Sequence, residues 1–353
     1  APARAQTIIQ LPDSLWSPGD SIVWEKRIPT FCEGPAWEAS TGAVYFTRQY
    51  GNSTAHWPIY RIRPGIDTGD IFVAQARQAN GLAFDPQGRL VAAQNQRLTR
   101  YKADGTEDSV LVTSGTGGVT FNQANDLSIG ANGAIYFTAL GTQVYYLSPS
   151  RQLSVAYNGT TSANGIVWDE ADSAVFVNEQ TNIRRYKVNP DGSLTNRTTF
   201  KTVTGMNADG AAVDAHGNRY FANFSGGDIR IFNAAGDSIG RIVPRLVTGT
   251  SFDAFGGNMG NVSNLTFGGP DMKTLYFTGD GGLFSLRMKI PGRVRPGETT
   301  AVRPETVRRE TAAGRLHAVR TTAGRDVRGR LVHGGPALLR TPSAAPAPHE
   351  EAP

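Results

Sequence analysis

Cysteine is almost absent from this chain: its 353 residues hold one, Cys32. A single thiol excludes an internal disulfide and any thiolate-based zinc cluster, and it fixes no redox compartment. Its neighbour Glu33 suggests an activated nucleophile, yet a lone cysteine ordinarily packs as a small hydrophobe, and packing is the reading adopted. Histidine is nearly as scarce, with His56 and His216 the only two before residue 300. His216 falls in the turn-like run Ala215-His216-Gly217-Asn218, so a histidine-based metal site is discarded. No stretch reaches the roughly 18 apolar residues of a membrane-spanning helix. Surplus charge is missing from most of the chain as well. The net charge of +5 lies wholly after residue 292, where eleven arginines face six acids, while 24 basic and 24 acidic residues balance before it. A neutral body carries no electrostatic footprint for nucleic acid.

What the chain does have is glycine (41) and proline (20) spread among short apolar runs, a composition of many strands joined by turns. Long helical periodicities are few. One short motif recurs: an acid or amide, usually beside glycine or aspartate, just before a small apolar strand. It stands as Glu33-Gly34-Pro35, Asn80-Gly81, Asn125-Asp126, Asn164-Gly165, Asn207-Ala208-Asp209-Gly210 and Ser263-Asn264. Anchors at 33, 80, 125, 164, 209 and 263 are separated by 47, 45, 39, 45 and 54 residues. Repeats of about 40 to 50 residues with four strands each mark propeller blades. Within each repeat an inner strand such as Leu127-Ser128-Ile129 leads through a turn to a second, such as Ala134-Ile135-Tyr136-Phe137-Thr138. A third follows, such as Val144-Tyr145-Tyr146-Leu147.

The sixth repeat runs out at Met288 without a fourth strand, while Ser21-Ile22-Val23-Trp24-Glu25-Lys26 stands unattached before the first. Pairing the two closes the ring and removes open sheet edges. The expected fold is therefore all-β: a six-bladed β-propeller over 21–292 closed by an N-terminal strand, after an extension at 1–20. Residues 293–353, rich in Arg, Ala and Pro, read as a disordered C-terminal tail, with Leu316, Val319, Val327, Leu331 and Val332 offering too little apolar area to order sixty residues. A sorting-module remnant is an alternative reading of that tail. The insert from Pro244 to Asn261, with Phe252, Phe255 and Met259 among glycines, is a candidate lid over the central pocket. The sequence begins Ala1-Pro2 without methionine, which reads either as an end left by signal-peptide removal, hence a secreted or periplasmic protein, or as a trimmed end; a monomer is expected.

Innermost propeller strands run along the central axis, so their starts meet at one mouth of the tunnel. Glu33, Asn125, Asn164 and Asp209 then offer two carboxylates and two amide oxygens. All-oxygen ligation suits a divalent cation such as calcium, whereas zinc prefers histidine or cysteine. Taken singly, Asn-Gly and Asp-Gly pairs are ordinary turn formers. Turn chemistry alone does not require an oxygen at the same phase of every repeat.

Phe31-Cys32-Glu33-Gly34-Pro35-Ala36-Trp37, Asn125-Asp126, Asn164-Gly165-Ile166, Asp209-Gly210 and Ser263-Asn264-Leu265 with Phe267-Gly268-Gly269, in that order, resemble the senescence marker protein, gluconolactonase and luciferin-regenerating enzyme family. Diisopropyl fluorophosphatase and lactonase propellers share the skeleton, and the likeness spans residues 21–290. The resemblance implies a lactone or ester hydrolase that uses a divalent cation, calcium first, with zinc and magnesium as alternatives. It implies Glu33, Asn164 and Asp209 as metal ligands, with Asn125 a fourth ligand or a substrate contact. Asp209 is then the catalytic base or nucleophile, with Asp126 its rival unless that side chain merely bonds the backbone. Asn80 and Asn264 complete the ring as substrate-binding groups or turn residues. Gln123 occupies the position where sugar-lactone members commonly carry arginine, which favours a less polar lactone or ester; Trp57, His56 and the 252–259 insert are candidates to line its pocket. A phosphotriesterase-like hydrolase and a non-catalytic ligand-binding propeller are the competing readings.

Overall fold

A computed structural model describes residues 8–49, 57–244, 261–294, 324–325 and 331–332. Two compact units divide the chain, Ala1–Pro304 and Glu305–Pro353. In the second, β24 (Gly324–Arg325) and β25 (Leu331–Val332) form a two-residue antiparallel ladder. The rest of the tail, the 245–260 insert and His56 lie outside the described residues.

The first unit is an all-β propeller, with only two single-turn 3-10 segments beside its strands among the described residues. Its strands are β1 (Ile8–Gln10), β2 (Val23–Glu38), β3 (Ala43–Arg48), β4 (Ile59–Arg63), β5 (Ile66–Val73), β6 (Leu82–Phe84), β7 (Leu90–Gln94), β8 (Arg97–Tyr101), β9 (Glu107–Thr113), β10 (Leu127–Ile129), β11 (Ile135–Thr138), β12 (Gln143–Leu147) and β13 (Leu153–Asn158). They continue as β14 (Ala163–Asp169), β15 (Ala174–Glu179), β16 (Asn182–Val188), β17 (Leu194–Thr202), β18 (Ala208–Val213), β19 (Arg219–Asn223), β20 (Asp228–Phe232), β21 (Ser238–Val243), β22 (Val262–Gly268) and β23 (Thr274–Arg287). Three sheets are simple four-stranded meanders, β6 to β9, β10 to β13 and β14 to β17; a fourth, β18 to β21, gains β1 on its outer edge.

The blade count is the correction: the structure has five blades, not six. The fifth is a six-stranded sheet in the order β22-β23-β2-β3-β4-β5, which merges what the spacing divides into the first and last repeats. The cause is the length of β2, 16 residues long. Its first half pairs with β23 (Val23 with Ser285, Trp24 with Phe284), and after a register shift its second half pairs with β3 (Trp37 with Val44). Strand β23 serves two neighbours as well, since Gly281 and Gly282 at φ 101° and 124° turn the chain back. Phe277 and Phe284 then stack with ring centroids 5.5 Å apart, a fraction of the roughly 23 Å that seven extended residues would span. Residues 23–27 thus close the ring onto the last strands. A second tie follows β23, where Gly292 N–H donates to Met272 O at 2.7 Å and Arg293 N–H to Val213 O at 2.9 Å.

Alternation places the second strands wholly inside, as in β11 and β15, whose residues are all buried. Aromatic residues lock sheet to sheet: Tyr45 meets Phe84 edge-on at 5.3 Å and Tyr136 meets Trp168 at 4.9 Å. Gly130 leaves the space that the Trp168 ring fills. Cys32 is fully buried, and burial pushes its thiol far above the usual range, so it packs and does not react. His216 is exposed in the expected turn, its N–H donating to Asp214 Oδ1 at 2.9 Å.

Candidate active site

Four of the six repeats begin their inner strand with a break in the ladder. Register shifts separate Glu33 from Ala36, Ala163 from Ile166, Ala208 from Ala211, and Val262 from Leu265. A bulge holds one residue out of the pairing and re-aims its side chain. Here Asn164, Asp209 and Asn264 are among the residues held out, while Glu33 still pairs with Thr47 and the break follows it at Gly34 and Pro35. Glu33, Asn80, Asn125, Asp126, Asp209 and Asn264 are all buried, and Asn164 is half-buried.

The six anchors form one closed circuit. Gly34 lies so tightly on Asn80 and Gly81 that a Cβ there would overlap the Asn80 carbonyl. Gly81 N–H donates to Asn125 O at 2.7 Å. Ile166 N–H donates to Asp126 Oδ2 at 3.2 Å, which ties the third anchor to the fourth. Gly165 packs on the Asp209 backbone and Gly210 on the Asn264 side chain. The Ser263 hydroxyl donates to Cys32 O at 2.6 Å and returns the circuit to its start. In this order the carboxylates Glu33, Asp126 and Asp209 occupy alternate places, with Asn80, Asn164 and Asn264 between them.

Their electrostatics follow from that alternation. Burial pushes Glu33 up to about 8, and the Asp126 carboxylate adds to the shift against hydrogen bonds from Gly34 and Asn264. Asp209 is held well above the usual carboxylate range, first by burial and then by Glu33 and Asp126, with Asn164 opposing. Mutual influence means that three buried acids share one space, an arrangement costly for like charges without a cation. Their remaining bonds distinguish them. Asp126 takes Leu127 N–H at 2.9 Å on one oxygen and Ile166 N–H on the other. Glu33 Oε2 accepts from Gly34 N–H at 3.0 Å and Asn264 Oδ1 from Leu265 N–H at 2.8 Å. Asp209 receives no backbone N–H on its carboxylate among the described residues.

The residues present fit a hard divalent cation. Asn164 Oδ1 is a buried acceptor without a hydrogen-bond partner, which is a costly state unless something else binds it. Acid and amide oxygens with no imidazole or thiolate suit calcium or magnesium better than zinc. Among the described residues no cluster of three or more His, Cys, Asp or Glu side chains is close enough to hold a metal alone, so any such site draws on the amides.

Two features escaped the sequence reading. Directly inside the ring, Pro35, Leu82, Leu127, Ile166, Ala211 and Leu265 stand one or two residues after each anchor. They form an apolar collar that, with Gly34, Asp126 and Asn264, lines one small cavity. Behind the ring, residues at the ends of second strands grip the next anchor's carbonyl: Thr47 Oγ1 donates to Asn80 O at 3.1 Å, Thr138 Oγ1 to Asn164 O at 2.5 Å, and Asn178 Nδ2 to Asp209 O. The signal was available in the recurring Phe-Thr and Val-Asn strand endings, but threonine is common in any strand. Trp57 is half-buried.

Comparison with known proteins agrees with this geometry. The family model described as "SMP-30/Gluconolactonase/LRE-like region" matches residues 31–280. A gluconolactonase of Zymomonas mobilis is 26% identical over 299 residues, covering 74% of this chain and 79% of that protein. A gluconolactonase structure from Xanthomonas campestris superimposes with a TM-score of 0.67 at 24% identity over 82% of this chain and 98% of its own. Regucalcin from Agrobacterium tumefaciens, a calcium-binding protein, does so with a TM-score of 0.63 at 16% identity over 79% and 96%. At those identities the structural likeness speaks for fold, and the model match over most of the chain speaks for kinship: the chain belongs to the SMP-30/gluconolactonase/LRE-like family.

Proposed function

We propose that the protein hydrolyses a lactone in the mouth of the propeller, with a divalent cation, calcium by preference, bound by Glu33, Asn164, Asp209 and Asn125. The observation that carries this reading is the unpartnered Asn164 Oδ1 beside a ring in which three buried carboxylates alternate with amides. When bound, calcium supplies a Lewis acid that polarises an ester carbonyl and steadies the developing oxyanion. Asp209 takes the proton of the attacking water. Of the ring's acids it is the one without backbone N–H donors among the described residues, and the Asn164 carboxamide orients it. Asp126 is committed to Leu127 and Ile166 and holds the ring in register. Asn80 and Asn264 flank Glu33 and meet the lactone's polar atoms. The six-stranded sheet counts, on this reading, as two of six functional repeats, since it carries both Glu33 and Asn264. We also place the protein outside the cytoplasm, where free calcium is plentiful enough for a site of modest affinity.

Dialysis of the full chain against a chelator should abolish turnover of a lactone panel that includes glucono-δ-lactone, and calcium should restore it. Asp209→Asn should lower kcat by about 10²- to 10⁴-fold while the folded spectrum is retained. Turnover indifferent to the chelator, or intact in Asp209→Asn, would overturn the reading. Cleavage of a phosphotriester and of no lactone would transfer the site to the phosphotriesterase class. Calcium binding with no turnover of any lactone or phosphotriester would leave a non-catalytic binder that uses the acids at 33 and 209 as ligands alone.

A further inference from the structure

We propose that Phe31 and Phe224 form an apolar clamp above the oxygen ring and select lactones that carry a hydrocarbon substituent over polyhydroxylated ones. The inference rests on the ring being a lactone site. It begins from chain direction. The collar residues follow the anchors, so they close the tunnel on one side; residues that precede the anchors face the open side. Phe31 precedes Glu33 by two residues on β2. Phe224 follows the end of β19 and donates its N–H to Asn207 O at 2.9 Å, two residues before Asp209. The two rings meet edge-to-face with centroids 5.5 Å apart and planes at 76°. The contact therefore spans from the strand that bears Glu33 to the sheet that bears Asp209, over the Asn264 repeat between them.

Core aromatics here, such as Phe46 and Phe221, are fully buried, whereas Phe31 and Phe224 are half-buried. An aromatic pair with an open face at the working end of a polar ring is placed to touch what enters. Nearby, the Arg48 guanidinium donates to the Thr30 hydroxyl at 3.0 Å and to the Tyr60 hydroxyl at 3.4 Å. Phenyl rings offer no partner to a sugar hydroxyl, so each hydroxyl laid on them forfeits its bonds to water. A methylene laid on them gains about fourfold in binding.

The test uses the calcium-loaded full chain and three probes: γ-nonalactone, γ-butyrolactone and glucono-δ-lactone. The wild-type kcat/KM should be at least tenfold higher for γ-nonalactone than for γ-butyrolactone. That ratio should fall about tenfold in Phe224→Ala and in Phe31→Ala, and be largely rescued in Phe224→Leu. A merely structural loss lowers both rates and leaves the ratio in place. Faster turnover of glucono-δ-lactone than of γ-nonalactone, or an unmoved ratio in the variants, would overturn the clamp while the hydrolase stands. Should no lactone be turned over, the hydrolase reading falls and calorimetry decides the clamp. Binding of γ-nonalactone over glucono-δ-lactone that is lost in Phe224→Ala supports it, and equal or absent binding overturns it.

Discussion

Replacing Glu33 by glutamine should change stability in opposite directions with and without calcium. The substitution keeps the side chain's shape and leaves one amide oxygen to accept from the Gly34 N–H, which donates at 3.0 Å, but removes one of three buried acids. In the bare protein Glu33 is raised from 4.5 to about 8, and each unit is worth about 1.4 kcal/mol against the ionised form. Burial is the first cause of that shift and the Asp126 carboxylate the second, and interacting acids share such shifts among them, so about 2 to 3 kcal/mol is assigned to Glu33. The sign follows from the raised value. The folded protein holds its proton more tightly than the unfolded chain, so the contribution is full below the unfolded pKa and is lost as pH rises through about 8. With chelator at pH 9, Glu33→Gln should therefore melt several degrees higher than the wild type, at roughly 2 to 4 °C per kcal/mol for a domain of this size. At pH 4 the two should coincide. Saturating calcium should raise the wild type, by about 2.7 kcal/mol at a hundred times Kd, and leave the variant where it was. Scanning calorimetry at the two pH values, each with chelator and with calcium, provides the check. A variant that melts below the wild type in chelator at pH 9, or gains as much from calcium, would refute the reasoning.

Two other expectations concern the frame of the site. Gly165→Ala puts a methyl into the Asp209 backbone and should cost about 1 to 3 kcal/mol by overpacking; denaturant unfolding and lactone turnover should both decline, and a neutral result would mean that the two anchors are not in contact. Truncation after Val294 should leave melting and catalysis unchanged, whereas truncation after Arg287 removes the backbone bonds of Gly292 to Met272 and Arg293 to Val213 and should lower the melting temperature by several degrees.

Much of this architecture was legible because the anchors recur at one phase of a regular repeat. Residues as distant as Glu33 and Ser263 could be placed in one ring from spacing alone. The merged sheet was not legible. Whether β2 breaks between Arg27 and Cys32 depends on tertiary pairing with Asp280, not on local turn residues, and the run Ile28-Pro29-Thr30 reads as a break. Strand β1 was missed because three residues carry too little pattern. Asp126 was read as either backbone ligand or site acid, and it is both a double acceptor of N–H groups and a charge that Glu33 and Asp209 sense. The collar escaped because Pro35, Ala211 and Leu265 share no chemistry beyond being apolar, so only the axis unites them.

The pairing of β2 with β23 also governs how the protein can be born. Glu25 accepts from the Ser285 hydroxyl at 2.6 Å and Trp24 donates to Gly281 O at 3.1 Å, partners 260 and 257 positions apart. A ribosome adding roughly 5 to 20 residues per second needs on the order of 15 to 50 seconds to make the second partner after the first. Throughout that interval the β2 edge is exposed and adhesive, with nothing of its own to bind. The nascent propeller is thus an open fan until translation is nearly over, which favours chaperone shielding of that edge during synthesis.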